Sequence, residues 1–514
     1  MKKNSVKIIS ISIFIILGFS IFVTPAVACP CKRPPKEEDD WTLIHDGRDV
    51  KAYPELREYV WETERPPFGP YDRIALHRLV KKGERTQGVV FLLPGTWSNG
   101  EQLTSNPPDD NWTATEDNSF GFFLANRGFD VYAIDYRTHF VPIYFTKEQL
   151  SFMLDWGWDA WIGDIKKAVK LAKEVSGEKK IFLAGDSFGG SAAMNYASMY
   201  WEEDLKGILL RDGGTGAKYP GLVHNNYSLP AMIDSLQANN WSSEVGGTEG
   251  SIFLMKYADQ YPDAPPYYPG TDIKLQPEEN PLTPYPDPWN NIAEWAAFMI
   301  YIAWGLGAVS NIYGGYGDPS VMIHIDATFD RYWPTRLSLE SAAISNWDNC
   351  PYVTFDFDDH YNEIDVPLLA FTSELFGLQY WGLFIHYIAN PDFTGHYLWG
   401  YGHLDVYSGV FSKDNVSQPT YEWLINHRML EGYGSVKLDR KWERGKITIF
   451  INEDMIDFKI NDKRLSWSIT DYYQHKKLVI YKGFGNLGII KIIITNRGLS
   501  VAIGRKLHFV GYQM

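Results

Sequence analysis

The segment whose residues are most suited to catalysis is short and rich in glycine: Gly185-Asp-Ser-Phe-Gly189, which fits the pattern G-x-S-x-G. An apolar run precedes it at residues 180–184, and a run rich in small residues follows at 191–199. This context predicts a sharp turn from a buried strand into a helix, where glycine is needed because a side chain would collide with neighbouring backbone. Such a turn exposes its serine hydroxyl at a helix N-terminus, which favours developing negative charge. Ser187 is therefore the candidate nucleophile, and the alternative is an ordinary strand-to-helix turn with an idle serine.

The chain around this turn alternates between strand-like and helix-like segments. Continuous apolar runs, typical of strands that are buried on both faces, occur at residues 88–94, 131–135 and 207–210. Helical segments separate them at residues 120–127 and 158–175, and a glycine follows each helix. Strands that alternate with helices predict an α/β fold built on a parallel sheet.

Composition limits the classes of protein to consider. The chain has 514 residues, of which 45% are hydrophobic and 15% aromatic, so it can bury an extensive core and is neither disordered nor collagen-like. A formal net charge of -15 argues against binding a nucleic-acid backbone as the main activity. Three cysteines cannot build a disulfide scaffold or a cysteine-rich zinc site. A globular enzyme or binding protein remains.

The strand–turn–helix setting of Ser187 resembles that of the α/β-hydrolase superfamily, and the resemblance covers the chain from about Tyr71 to Leu430. It implies a doubly wound, mostly parallel sheet and a catalytic triad of serine, histidine and a carboxylate. It also implies chemistry that requires no metal and no organic cofactor.

The same resemblance implies an oxyanion hole. In this family a loop after an earlier strand supplies part of that hole, and residues 92–97 occupy its place here. The backbone N–H groups of Thr96 and Phe188 would then bind the tetrahedral oxyanion, with Trp97 as the alternative donor to Thr96.

One histidine is the clear candidate for the general base. Residues 400–407 read Gly-Tyr-Gly-His-Leu-Asp-Val-Tyr and follow a strand-like segment. This loop is similar to the one that carries the catalytic histidine in acid and gastric-type lipases and their relatives. The resemblance implies that His403 is the base for Ser187 and then the acid for the leaving alcohol; otherwise it is a surface-loop histidine.

Two carboxylates compete for the role of triad acid. The apolar run at residues 365–371 resembles the strand that precedes the acid in this family, and Glu374 is the one carboxylate in the turn after it. Most relatives place an aspartate a residue or two later, where this chain has Leu375 and Phe376. Asp212 is the alternative, since some relatives place the acid after the preceding strand. On spacing alone we expect Glu374 to be the acid.

The first residues predict export. A basic stretch precedes an uncharged apolar run at residues 8–23, and small residues at 26–28 suit a signal peptidase. Residues 1–28 are thus predicted to be a signal peptide, and the protein to be secreted or anchored at the outer face of the cytoplasmic membrane. Cys29 follows directly, so a lipidated Cys29 and a retained apolar anchor are the alternatives.

The remaining chain is divided by shifts in composition. Residues 29–65 are predicted to be a linker and N-terminal extension, and residues 66–212 with 361–430 the catalytic domain. Residues 213–360, rich in aromatic residues and proline, are the predicted cap or lid insertion, which either lines an apolar tunnel or packs against itself. Residues 431–514 carry short β-type runs and an excess of basic over acidic side chains. They predict a small all-β domain that attracts an anionic surface or complements the acidic remainder.

These features predict an exported serine hydrolase that cleaves carboxylic esters through an acyl-enzyme. Its expected substrate is an apolar or bulky small molecule, lipid or polyester, and nucleic acid is not an expected partner. Attachment to a membrane or cell surface would run through the N-terminus. The alternatives are a capped serine peptidase and a catalytically silent hydrolase fold that acts as a surface binding protein.

Overall fold

The structure, a computed structural model of the chain, describes several segments. These are residues 41–50, 53–84, 86–95, 99–100, 116–117, 119–141, 152, 156, 158–213, 248–273, 275, 290–296, 357–374, 392–427 and the strands between residues 429 and 513. For the strands after residue 428 it describes the backbone.

Nine strands form one sheet in the order β1-β2-β3-β5-β4-β6-β7-β8-β9. Their bounds are β1 (Thr42–Asp49), β2 (Leu56–Glu64), β3 (Arg73–Lys81), β4 (Val89–Leu93), β5 (Asp130–Asp135), β6 (Ile181–Asp186), β7 (Leu205–Arg211), β8 (Leu368–Ser373) and β9 (Phe393–Leu398). The strands β1, β2, β3 and β5 pair antiparallel, and from β5 to β9 every neighbouring pair is parallel. Strands β4, β5, β6 and β8 are buried along their whole length, which explains their continuous apolar character.

Helices cover both faces of this sheet. They are α1 (Phe120–Asn126), α2 (Trp158–Ser176), α3 (Phe188–Asp204), α4 (Thr248–Gln260), α5 (Asp405–Ser408) and α6 (Gln418–Asn426), with 3-10 turns at Arg137–Phe140 and Phe357–Glu363 and a π-helical turn at Lys413–Ser417. Helices α2 and α3 share one apolar cluster with Val89, Phe91 and Leu93 of β4. Helices α1 and α6 share a second cluster with Val90 and Leu92 of the same strand. Because successive strand residues point to opposite faces, the two clusters lie on opposite sides. The predicted doubly wound, mostly parallel α/β sheet is confirmed.

Two strands of this sheet lie where the sequence predicted a linker and N-terminal extension. Strands β1 and β2 form an antiparallel pair, and β2 joins the sheet through β3. Three alternate residues of β2 point inward, and the middle one is a carboxylate: Leu56, Glu58 and Val60. A buried charge between two apolar residues hides the alternation that predicts a strand, so this part of the prediction for residues 29–65 needs correction.

Eight further strands close into an antiparallel barrel. They are β10 (Met429–Leu438), β11 (Lys441–Ile451), β12 (Met455–Ile460), β13 (Lys463–His475), β14 (Leu478–Gly485), β15 (Gly488–Thr495), β16 (Gly498–Ile503) and β17 (Leu507–Gln513). Each strand pairs with its neighbour in the chain, and β10 also pairs with β17. Closure therefore pairs the first strand with the last, which removes the exposed edges of an open sheet.

The predicted cap insertion is described in part, through α4, most of residues 261–275, and residues 290–296. An apolar cluster joins α4 to residues 292–296 through Leu254, Met255, Ala258, Ile292, Trp295 and Ala296. Residues 1–28, the predicted signal peptide, lie outside the described residues. The same is true of most of residues 292–309, the most apolar stretch of the predicted cap. Within the described segments, no helix combines the length and apolar character needed to cross a bilayer.

Candidate active site

The candidate nucleophile occupies a strained turn between β6 and α3. Ser187 has a φ of 49° and a ψ of -116°, and α3 begins with the next residue. A Cβ added at Gly185 would lie 2.2 Å from the carbonyl oxygen of Gly189, and one at Gly189 would lie 2.0 Å from that of Leu93. Both glycines are therefore required by close backbone approach. The turn predicted from the sequence is present at these residues.

His403 brings the candidate nucleophile and a carboxylate together. Its Nε2 lies 2.9 Å from Ser187 Oγ, and its Nδ1 lies 2.7 Å from Asp212 Oδ2. The imidazole is buried except for a small exposed fraction, 8% of the residue surface. Residues from the ends of β6 and β7 and from the loop after β9 thus form a Ser–His–Asp arrangement, in which the histidine can accept a proton from the serine.

The carboxylate beside His403 is Asp212, and not Glu374 as spacing predicted. Glu374 lies one strand further along the sheet, and its Oε2 accepts a hydrogen bond from the backbone N–H of Gly400, 2.7 Å away. It therefore fastens the start of the loop that carries His403. This corrects the sequence prediction in favour of its alternative, because the carboxylate of Asp212 contacts His403 Nδ1 while that of Glu374 is bound to the backbone of the loop.

Asp212 is held in place by several groups. Ser373 donates two hydrogen bonds to its carboxylate, from the backbone N–H to Oδ1 over 2.8 Å and from the hydroxyl to Oδ2 over 2.7 Å. Asp212 itself has a φ of 45°, which is rare for a residue other than glycine. A Cβ on Gly213 would lie 2.1 Å from the carbonyl oxygen of Ser187, so the two turns pack backbone against backbone.

Ser373 and Gly213 were not found from the sequence. Ser373 gives no local signal, since a serine at the end of a strand is common. An aspartate followed by two glycines directly after a buried strand, as at residues 212–214, is a usable signal, because it marks a tight turn with a carboxylate at its tip.

Part of the predicted oxyanion hole is described. Phe188 is the first residue of α3, where backbone N–H groups have no partner within the helix. Its ring packs among Trp158, Trp161 and Tyr136, with ring centroids 5.3 to 6.3 Å away, which fixes the backbone at this point. Thr96 and the alternative donor Trp97 lie outside the described residues, so the second donor stays a prediction.

The loop that leads to Thr96 lies close to the nucleophile. A Cβ added at Gly95 would be 3.1 Å from the carbonyl oxygen of Asp186 and 3.2 Å from Cβ of Ser187. The end of β4 is therefore in contact with the Ser187 turn, which is the placement that an oxyanion loop requires.

A buried ion pair lies directly behind the triad. Arg211 binds Asp186 through two parallel hydrogen bonds, one from Nε to Oδ1 over 2.7 Å and one from Nη2 to Oδ2. Burial raises the pKa of the Asp186 carboxyl, and the Arg211 guanidinium opposes that rise. Burial, together with the carboxylates of Asp186 and Asp212, raises the pKa of the Tyr407 hydroxyl well above its ordinary value. Tyr407 is therefore a proton donor at neutral pH.

The described part of the predicted cap contacts the histidine loop. The apolar cluster of α4 and residues 292–296 includes Leu404, the residue after His403, and Tyr407 packs against it. The side of α4 that faces this loop is apolar, with Leu254, Met255 and Ala258 all buried. Apolar side chains therefore border the loop that carries the candidate base.

A second buried histidine lies outside this site, on the antiparallel strands. His77 binds two carboxylates, Glu58 Oε1 at 2.8 Å through Nδ1 and Asp135 Oδ2 at 3.0 Å through Nε2. Burial alone would lower the pKa of His77, but the Asp135 and Glu58 carboxylates outweigh it and raise that pKa well above the ordinary value. Burial opposes ionisation of the two carboxylates, but the imidazole of His77, with Arg48 beside Glu58 and His139 beside Asp135, lowers the pKa values of both.

The fold and the site together define a class of protein: a doubly wound α/β sheet whose strand ends carry a serine, a histidine and an aspartate in hydrogen-bonding contact. Among solved structures, the chain is similar to a candidate lipase from Sulfolobus solfataricus, with 34% identity and a TM-score of 0.58 over 76% of this chain and 100% of that one. The chain belongs to the α/β-hydrolase superfamily.

Two other solved structures are more distant. A thermophilic esterase from Thermogutta terrifontis has 14% identity and a TM-score of 0.37 over 70% of this chain and 96% of that one. A monoacylglycerol lipase from Paleococcus ferrophilus has 15% identity and a TM-score of 0.34 over 69% and 99%. No protein-family model and no curated protein sequence matches the chain.

Proposed function

We propose that the protein hydrolyses carboxylic esters, with Ser187 as nucleophile, His403 as general base and Asp212 as the carboxylate that orients the base. The observation that carries this proposal is the position of the His403 imidazole, 2.9 Å from Ser187 Oγ and 2.7 Å from Asp212 Oδ2. The 34% identity to a candidate lipase supports esters as the substrate class.

The geometry suits an acyl-enzyme mechanism. Ser187 Oγ attacks the ester carbonyl carbon while His403 Nε2 accepts the hydroxyl proton, and Asp212 accepts a hydrogen bond from Nδ1–H and stabilises the imidazolium. The backbone N–H of Phe188, with that of Thr96 as the second donor, binds the oxyanion. His403 then donates the proton to the leaving alcohol, and it later activates the water that releases the acid. None of these steps requires a metal or an organic cofactor.

The apolar side chains near His403 support an apolar or bulky ester as the substrate. Leu404 packs into the apolar cluster of α4, so the loop that carries His403 has apolar surroundings on this side, as is common in sites for apolar ligands. Burial of an acyl chain there would favour binding by about 25 cal/mol for each Å² of apolar area removed from water.

Labelling and turnover together test the ester proposal. A fluorophosphonate reacts with an activated serine, and aryl esters of short and long acyl chains report turnover. Ser187→Ala should abolish both, whereas Ser191→Ala, which changes a buried serine one turn further along α3, should retain both. Labelling without ester turnover would favour a peptidase, and folded wild-type protein that is not labelled would favour a catalytically silent binding protein.

We also propose that the protein works outside the cytoplasm, on the basis of the apolar run at residues 8–23 and the small residues at 26–28. The mass of the mature N-terminus in the native host tests this. An N-terminus at Cys29 without an acyl group indicates secretion, and an acylated Cys29 indicates anchoring in the membrane. A chain that still begins at Met1 would contradict cleavage.

A further inference from the structure

The ion pair of Asp186 and Arg211 lies one residue before the nucleophile and one before the acid. Asp186 precedes Ser187 at the end of β6, and Arg211 precedes Asp212 at the end of β7. The two residues are paired in the parallel register of these strands. Both are almost fully buried, at 5% and 2% exposure, so water does not screen the contact.

The backbone carbonyl of Arg211 links the turn of Ser187 to the loop of His403. Its carbonyl oxygen accepts a hydrogen bond from the N–H of Ser187 over 3.1 Å, and a second from the hydroxyl of Tyr407 over 2.5 Å. The ring of Tyr407 meets the imidazole of His403 edge-on, with the ring centroids 5.4 Å apart. Arg211 therefore contacts the Ser187 turn, the His403 loop and, along the chain, Asp212.

The guanidinium group of Arg211 has a further contact besides the Asp186 carboxylate. It lies over the ring of Phe120, the first residue of α1, with 4.0 Å between its carbon and the ring centroid. A cation over an aromatic face is attracted by the ring, and the attraction is strongest in a site without water. This contact restricts the arginine to one orientation.

We propose that Asp186, Arg211 and Tyr407 act together as a positioning cluster that sets the spacing of Ser187, His403 and Asp212. The inference rests on the proposed function, since it concerns the same site. None of the three side chains needs to touch a substrate. Their task is to hold two neighbouring turns and one loop at fixed distances.

The strain in the two turns explains why such a cluster is needed. Ser187 and Asp212 both have positive φ values, of 49° and 45°. Conformations of this kind are unfavourable for residues with a side chain, and they persist where the surroundings over-determine them. The ion pair of Asp186 and Arg211, the residues that precede Ser187 and Asp212, keeps the two turns at a fixed distance. This matters because a shift of about 1 Å in a catalytic group can cost about 100-fold in rate.

A neutral double variant tests the cluster without leaving an unpaired charge. Asp186→Asn/Arg211→Gln removes one negative and one positive charge; it also shortens the side chain at Arg211, a loss that the control below shares. The matched control is Asp130→Asn/Arg78→Gln, which replaces another Asp–Arg pair joined by two hydrogen bonds. Asp130 is the first residue of β5, so this pair lies at the amino end of that strand, whereas the triad lies at the carboxyl ends of the parallel strands.

We expect the Asp186→Asn/Arg211→Gln variant, as folded protein, to lose about 100-fold in the rate of fluorophosphonate labelling and in kcat, with KM little changed. The control should keep the wild-type kcat, even if it unfolds more easily. Tyr407→Phe, which removes one link, should lose about 10-fold. A double variant with wild-type labelling rate and kcat would overturn the proposal. Should that variant fail to fold, wild-type rates in both Arg211→Lys and Tyr407→Phe would overturn it equally.

A spectroscopic readout separates this proposal from the proposed function. The proton between His403 Nδ1 and Asp212 should give a downfield proton resonance in wild-type protein, assigned by its loss in His403→Gln. The positioning cluster predicts that this resonance shifts or broadens in Asp186→Asn/Arg211→Gln and stays unchanged in the control. If wild-type protein is not labelled, the proposed function fails, and the positioning role still stands where the resonance is present in wild-type protein and shifts in the double variant. An unchanged resonance in the folded double variant contradicts the positioning role.

Discussion

Two buried histidines in this molecule have similar surroundings but differ in whether they can exchange a proton. His403 has a carboxylate on one ring nitrogen and a hydroxyl on the other, whereas His77 has a carboxylate on each. The first lies at the carboxyl ends of parallel strands, and the second lies within the antiparallel part of the sheet.

The difference shows what a catalytic histidine requires. Two carboxylates raise the pKa of His77 well above the ordinary value, so its proton is held and the imidazole serves as a fixed positive charge. One carboxylate and one hydroxyl leave the Nε2 of His403 able to accept a proton and return it. The number of carboxylates around the ring, more than burial, separates a structural cation from a candidate base.

The largest effect expected from this comparison is the loss of kcat when the carboxylate beside His403 is replaced. Asp212→Asn should reduce kcat by about 10⁴-fold, because an amide can donate to Nδ1 and favour the wrong tautomer. Steady-state hydrolysis of an aryl ester measures this. Circular dichroism would check that the variant is folded. A loss of less than about 10-fold would mean that Asp212 does not orient the base, and the contrast between the two histidines would then lose its basis.

The second prediction concerns stability at the other histidine. His77→Gln removes the cation that Glu58 and Asp135 share and leaves Glu58 with Arg48 and Asp135 with the more distant His139. Removing one partner of a buried ion pair costs about 3–5 kcal/mol. Urea denaturation near pH 6 would measure the free energy of unfolding. His360→Gln is the matched control, because this histidine is half-exposed and pairs with Glu363 at the surface. It should change that free energy by less than about 1 kcal/mol.

The loss of unfolding free energy in His77→Gln should depend on pH in a definite direction. A histidine whose pKa is raised in the folded state contributes stability fully below its unfolded pKa, and the contribution is lost as pH rises through the folded pKa. The lowered pKa values of Glu58 and Asp135 act in the other direction, since their contribution is lost in acid. The difference between wild type and His77→Gln should therefore be largest from about pH 4.5 to 6.5 and decline towards alkaline pH. A difference that grows with rising pH would contradict a protonated His77.

The two histidines also differ in how readily they are found from the sequence. His403 lies in a compact glycine-containing loop, and the Ser187 turn is encoded within five residues whose glycines allow close backbone approach, of Gly185 to Gly189 within the turn and of Gly189 to Leu93 of β4. Such features can be predicted. The cluster of Glu58, His77 and Asp135 joins three strands, Asp135 follows His77 by 58 residues, and no local pattern marks the cluster.

The acid could not be selected from the sequence for a related reason. Asp212 and Glu374 each follow a buried strand, so strand patterns alone offer both. The choice depends on the order of strands in the sheet, on the positive φ of Asp212, and on the contact of Gly213 with the backbone of Ser187. These are properties of the assembled sheet and not of either segment.

The smallest predicted effect tests that choice directly. Glu374→Gln keeps an oxygen that can accept the hydrogen bond from Gly400, so the His403 loop should stay fastened, at a cost of about 1 kcal/mol in the free energy of unfolding. Because the imidazole is hydrogen-bonded to Asp212 and Glu374 to the backbone of Gly400, kcat should stay within about threefold of wild type, which steady-state ester hydrolysis measures beside Asp212→Asn. A loss in Glu374→Gln as large as that in Asp212→Asn would restore Glu374 as the orienting carboxylate. The distinction is sharp because both variants replace a carboxylate by its amide, at the ends of neighbouring strands, and differ in whether the lost charge faces His403.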